Sequence, residues 1–200
     1  MVSEYDIGGG KVVLNLGSVV RHEADAIVFP VDPMLDYQAG PGTLVHSIVE
    51  GGHQAVFDEA RKMAKSKLKE GSLDSNIPMA VPLGSVHATS AGRMMAENAF
   101  HAVVLTYDSD TLRAYATEST ISKATKNSLE LANEKLFRKI AFPLFGGSVY
   151  HMPLGNAAEI MVEEFKNHFG AGTTLNRIAI VVPWQLHYSC VRNVLEKNSH

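Results

Sequence analysis

The stretch IAFPLFGGSVYHMP, Ile140 to Pro153, joins three kinds of local pattern in one segment. Ile140-Ala141-Phe142 is a short apolar run, of the kind shown by a strand covered on both faces. Gly146 and Gly147 then permit a tight turn and let backbone amides come close to a ligand. Beyond Pro153 the period changes. Leu154, Ala158, Met161, Val162, Phe165 and Phe169 recur at helical spacing and make one apolar stripe. A strand, a glycine loop and then a helix bring unpaired amides and the positive end of a helix dipole to the same point, which suits an anion.

Outward from this segment the same alternation continues. Ala26-Ile27-Val28-Phe29, Ala102-Val103-Val104-Leu105 and Ile178-Ala179-Ile180-Val181-Val182 are further near-continuous apolar runs. Lys11 to Leu16 is more mixed and reads as an outer strand. Ser85 to Ser90 reads as another strand, entered through Pro82 and Gly84. Val56, Ala60, Met63, Ala64 and Leu68 form one helical stripe. Ile121, Ala124, Ser128, Leu131, Ala132 and Leu136 form a second, and a last helix is expected from about Gln185 to Glu196. Strands alternating with helices imply right-handed crossovers and a mainly parallel sheet between helical layers, an α/β fold. No repeat, low-complexity tract or strong linker divides the chain, so a single domain over residues 1–200 is expected. Glu70 to Pro78 and Asp108 to Asp110 read as surface loops.

Composition narrows the function classes. Two hundred residues, 46% of them hydrophobic, can form a full core without a disulfide or metal staple. The net charge of −3, with signs interspersed, gives no basic stripe for nucleic acid. Backbone amides can still supply a local phosphate pocket. Met1 to Lys11 carries Glu4 and Asp6 and does not read as a secretory signal. No apolar run is long enough to span a bilayer, and a cytoplasmic location is expected. Cys190 is the lone cysteine; beside Val191 and Val194 on the inner face of a helix, it is expected to be buried. The histidines show no HExxH spacing and no CxxC is present, and His46 and His53 make no recognisable ligand set, so neither metal nor cofactor is expected. His46 reads mainly as a surface or packing residue. Ser47 and Ser90 lack the strained elbow or neighbouring base of a hydrolase nucleophile. The run Arg61 to Lys69 reads as a solvated helix face.

A second glycine loop, QAGPGT from Gln38 to Thr43, follows the strand ending near Val31 and precedes Leu44 to Val49. In open α/β sheets such loops lie beyond the carboxyl ends of the strands, where ligands bind. There is no GxxxxGK[ST]. Gly40 and Gly42 lack a third glycine at Val45, and Gly8-Gly9-Gly10 precedes a strand instead of following one. Both points argue against standard nucleotide fingerprints.

Taken together, these segments resemble the macro domains, the ADP-ribose-binding modules. IAFPLFGGSVYHMP is similar to that family's IAFPxxxxGxYGxP segment. PLGSVHATSAG, Pro82 to Gly92, resembles its strand entry, and ADAIVFPVD, Ala24 to Asp32, its DAIVNAAN strand. AGPGTLVHSIVEGG resembles the glycine-rich loop and helix that follow. The order and spacing agree from about Lys11 to Leu195.

The resemblance implies a three-layer α/β/α fold, a six-stranded mixed and mainly parallel sheet, and a crest cleft. The implied ligand is ADP-ribose or a related nucleotide diphosphate sugar, free or carried on an ADP-ribosylated protein. It implies that Ser18, with Val19, stands where the family's aspartate accepts from the adenine amino group; a neutral serine is the weaker acceptor. Trp184 would stack on adenine. Gly40, Pro41, Gly42 and Thr43 would embrace the pyrophosphate and nearby ribose, together with Gly146, Gly147, Ser148, Val149 and Tyr150.

Departures from the family pattern are several. Pro41 replaces a glycine and removes an amide donor. Ser148 stands at the loop's usual last glycine, and His151 replaces the glycine after the tyrosine. The NAAN signature reads Phe29-Pro30-Val31-Asp32. Asp32 would contact the distal ribose or orient a water for attack at the anomeric carbon, with His151 as a second proton-handling group. The same carboxylate repels a diphosphate, and aspartate before proline also favours a plain turn. Beside binding, the residues therefore leave two alternatives open: hydrolysis of an ADP-ribose ester or phosphate derivative, and an interaction protein whose cleft has lost nucleotide affinity.

Overall fold

The structure, a computed structural model, describes residues 1–36, 54–68, 79–108, 110–111, 113–146 and 152–199. The chain opens with a hairpin of β1 (Val2–Ile7) and β2 (Gly10–Leu16). A short 3-10 turn, Val19–Arg21, leads to β3 (Ala26–Val31), and α1 follows at Gln54–Lys67. Then come β4 (Val86–Ser90), β5 (Asn98–Val103) and the short pair β6 (Thr106–Tyr107) and β7 (Ala114–Tyr115). The last part is α2 (Glu118–Glu134), β8 (Lys139–Phe142), α3 (Leu154–Gly170), β9 (Arg177–Val182) and α4 (Gln185–Asn198).

Seven strands form one sheet in the order β1-β2-β9-β8-β3-β5-β4, and β6 pairs with β7 apart from it. The five inner strands run parallel, and the edge strands β1 and β4 are antiparallel to their neighbours. The mainly parallel α/β class is as expected, with one strand more than the six expected. The extra strand is β1, so Lys11 to Leu16 lies between β1 and β9 and is not an outer strand. Gly8 and Gly9, both at positive φ, turn the chain between β1 and β2, so this glycine run also follows a strand. A β-carbon on Gly8 would stand 2.7 Å from the Lys166 carbonyl oxygen, on the last turns of α3. β5 begins at Asn98, earlier than the apolar run starting at Ala102 suggests. Val104 and Leu105 lie past its end, both donating to the Val31 carbonyl.

Residue parity along the strands divides the core. Val12, Leu14, Val28, Ile140, Phe142, Ile178 and Ile180 face α2, α3 and α4. Val13, Ile27, Phe29, Ala141, Ala179 and Val181 face α1 and the segment around Val19 and Val20. Both faces are therefore covered, which is why the runs are continuous rather than alternating. Phe142 packs on Phe145 and Phe165 at ring separations of 5.8 and 5.4 Å, and all three are fully buried. Each contributes about 1.5–3 kcal/mol by leaving water.

Local rules explain the ends of these elements. Thr117 and Thr120 cap α2 reciprocally: Thr120 N donates to Thr117 Oγ1 at 3.1 Å and Thr117 N to Thr120 Oγ1 at 3.0 Å. Leu136, expected in the apolar stripe, falls beyond the helix at φ 60° and is exposed. Cys190 is half-buried rather than buried, because it sits at the flank of α4 while Val191 and Val194 face inward.

Candidate functional site

Because β2, β9, β8, β3 and β5 run parallel, their carboxyl ends line one edge of the sheet, here called the crest. Along it stand Ser18 after β2, Trp184 after β9, Gly146 after β8 and Asp32 after β3. Strands lie about 4.8 Å apart, so three intervals carry the crest from Ser18 to Asp32 across about 14 Å. That is a span for an elongated ligand.

The β2–β9 end is held by a backbone bond from Gly17 N to the Val182 carbonyl, 2.8 Å. Ser18 is half-buried; its carbonyl accepts from Arg21 N at 3.1 Å, while its side chain makes no capping bond. Val19 is buried in the α1-side core, which commits its side chain to packing. Trp184 is the first residue before α4 and is 47% exposed. Its indole stands edge to face with the His187 ring, centroids 4.9 Å apart at 87°. His187 is buried, and that burial lowers its imidazole below the ordinary value. The sequence reading passed over His187. Its spacing of three residues from Trp184 on a helix was the available signal.

Gly146 adopts φ 72°, and a β-carbon there would meet Met152 Cγ at 3.0 Å and Ile121 Cδ1 at 3.4 Å. Phe145 just before it is fully buried, with its amide 3.4 Å from Met161 Sδ. The start of this loop is thus seated on α2 and α3. Gly147, Ser148, Val149, Tyr150 and His151 lie outside the described residues, as do Gly40, Pro41, Gly42, Thr43, His46, Ser47, His53 and residues 70–78, expected to be a loop.

Asp32 has become part of the loop architecture. Its Oδ1 accepts from Met34 N at 2.8 Å and Asp36 N at 3.0 Å, and its Oδ2 accepts from the Tyr107 hydroxyl at 2.8 Å. The side chain is buried, and its backbone amide donates to the Asp36 carbonyl at 3.0 Å. Leu35 sits at φ 54° within this turn. Tyr107, on the small β6–β7 pair, was not singled out from sequence, and no spacing relates it to Asp32.

The electrostatics of the crest come from helix ends. α3 and α4 begin with no side-chain cap and no acidic residue in the first turn, whereas α2 has its threonine cap and Glu118. Uncapped first-turn amides carry partial positive charge and accept anions. Among the described residues no group of three or more His, Cys, Asp or Glu could hold a metal ion, and no helix is long and apolar enough to cross a membrane.

Comparison with known proteins bears on the family and the fold. The model of the Macro domain family matches residues 47–161. An uncharacterised protein of Pyrobaculum aerophilum is 30% identical over 98% of this chain and 96% of its own. The macro domain-containing protein in the sno 5′ region of Streptomyces nogalater is 31% identical, covering 76% and 75%. Among solved structures, a mutant Oceanobacillus iheyensis macrodomain with ADPR superposes with a TM-score of 0.78 at 18% identity, over 98% of both chains. The Trypanosoma brucei macrodomain in complex with ADP-ribose gives 0.70 at 17% identity, over 91% of this chain and 68% of its own. Identities this low speak to the fold alone.

Proposed function

The chain belongs to the macro domain family, and from that premise we propose that it binds ADP-ribose, or a related nucleotide diphosphate sugar, along the crest of its sheet. The observation that carries the reading is the exposed Trp184 beside the Ser18 turn, on the same edge as the uncapped starts of α3 and α4. Trp184 offers a flat face for adenine, Ser18 an acceptor for its amino group, and the helix amides a setting for the pyrophosphate. Gly146 and the residues after it, with the loop from Gly40 to Thr43, complete the proposed cleft. Solved macrodomains in complex with ADPR and ADP-ribose support the choice of ligand. An ADP-ribosylated protein would present the same group.

Asp32 has both carboxylate oxygens engaged within the protein, which favours binding over turnover. We assign it the positioning of the loop next to the distal ribose. A ligand that binds only the folded state raises its stability, by about 2.7 kcal/mol at a hundredfold excess over Kd. Thermal melts are expected to shift more with ADP-ribose than with AMP or ribose phosphate, and Trp184→Ala should weaken binding about tenfold, as loss of a base-stacking ring does. No shift with any of the three at millimolar concentration would overturn the reading. Release of free ADP-ribose from a modified protein, lost in both Asp32→Ala and His151→Ala, would replace it with a hydrolase.

A further inference from the structure

At the opposite edge of the sheet, where the parallel strands begin, a row of charges crosses four strands. In register stand Asp6, Lys11, Arg177 and Lys139, and Asp25 precedes β3 with its amide donating to the Lys139 carbonyl at 3.0 Å. The register sets three cations side by side at the starts of β2, β9 and β8, an arrangement that is unfavourable unless something negative sits against it. A recess of 340 Å³ opens here, lined by Arg177, Lys139 and Ala179 and by the connection carrying Arg21, His22 and Glu23. Four of its lining residues are basic by type and one is acidic.

We propose that this recess binds a small phosphate-bearing anion on Arg21, Lys139 and Arg177. The existing acids leave room for one. Lys139 Nζ is 3.6 Å from Glu23 Oε1, and Arg177 Nη2 is bonded to Glu4, which Lys11 shares at 3.6 Å. All these side chains are at least a third exposed, and pairs of that kind are weak and exchange readily for a better anion. Asp6 is bound to Lys11 at 2.7 Å, away from the recess. Asp25 spends its carboxylate on the Arg138 and Lys139 amides, at 2.7 and 2.8 Å, and so holds the start of β8. Arg21 lines the recess, is exposed, and makes no ion pair among the described residues. His22 contributes a donor. Asn15 Nδ2 lies 3.4 Å from its Nδ1, which puts the proton of the neutral ring on Nε2, and burial together with Arg177 keeps the ring neutral.

Two guanidinium forks, an ammonium and a ring N–H offer more donors than a single carboxylate can accept, and match the oxygens of a phosphate. The recess is also separate from the crest. β9 spans Arg177 to Val182, so the two edges lie about 17–20 Å apart.

The full chain, titrated with inorganic phosphate, inorganic pyrophosphate and AMP, should show saturable binding of pyrophosphate by calorimetry. Amide shifts should centre on Arg21 to Ala24, Lys139 and Arg177. Arg177→Gln and, separately, Arg21→Gln should each weaken it about tenfold, while Trp184→Ala leaves it unchanged. Both arginines are solvent-exposed, so both variants should keep the wild-type circular dichroism. Absence of saturable binding up to about 10 mM would overturn the proposal. So would shifts confined to the crest, wild-type affinity in both arginine variants, or binding only of a single-stranded oligonucleotide. ADP-ribose binding that survives in Arg177→Gln keeps the crest reading apart from this one.

Discussion

Asp32 joins two pieces of chain that are distant in sequence: the turn it opens, through Met34 and Asp36, and the β6–β7 pair, through Tyr107. Hydrogen bonds to a charged partner are worth about 1.5–3 kcal/mol each. Asp32→Ala should therefore lower the free energy of unfolding by about 2–4 kcal/mol in urea titrations, and Tyr107→Phe by about 1.5–3 kcal/mol. Asp32→Asn should fall between, because one amide oxygen cannot serve both the two backbone donors and the phenol. Unchanged stability in Asp32→Ala would show that the carboxylate is not an anchor. Trp184 offers a second test at this scale. It is the single tryptophan of the chain, so its fluorescence reports on the crest alone. ADP-ribose is expected to quench it, and His187→Ala to make the indole more mobile in anisotropy while leaving the melting temperature within a few degrees.

The hairpin of β1 and β2 depends on Gly8, whose positive φ and contact with the α3 backbone leave no room for a side chain. Gly8→Ala should cost about 1–3 kcal/mol, measured by denaturation, because strain and clash add. Gly9, also at positive φ but with open space around it, should tolerate alanine better. This hairpin is also where sequence reading fell short. Val2 to Ile7 alternates exposed and partly covered residues and buries only Ile7 fully, so it lacks the apolar run that marks the inner strands. The inner strands and helices were legible because two-sided burial and the helical period leave strong patterns. In β5 the pattern misled, since Asn98 and His101 are polar yet belong to the strand. The site divides the same way. Ser18, Gly146 and Trp184 could be placed at strand ends from their neighbours, but Tyr107 meets Asp32 only through tertiary folding.

At the scale of the whole molecule, burial moves five histidines among the described residues in one direction. His22, His87, His168 and His187 are all lowered, chiefly by desolvation, and fully buried His101 is pushed down to about 3 by desolvation and then by His87. The unfolded chain takes up these protons near pH 6.5, and the folded chain does so only at lower pH. Stability should thus be complete above about pH 6.5 and decline as the pH falls toward 3, with His101 alone contributing at most about 1.4 kcal/mol per unit. Denaturation midpoints between pH 7.5 and 5 test this, and His101→Gln should flatten the slope even if it lowers the plateau. A midpoint that rises on acidification would contradict it.

β9, the last strand among the described residues, lies between β2 and β8. During synthesis β2 therefore has no parallel partner until Arg177 to Val182 have emerged. Until then β1 and β2 form only a two-stranded ribbon, which is marginal in water. The hairpin is translated before the other described strands and secured only by the last of them, so the segment carrying β9 sets the moment at which the hairpin stops being a target for proteases.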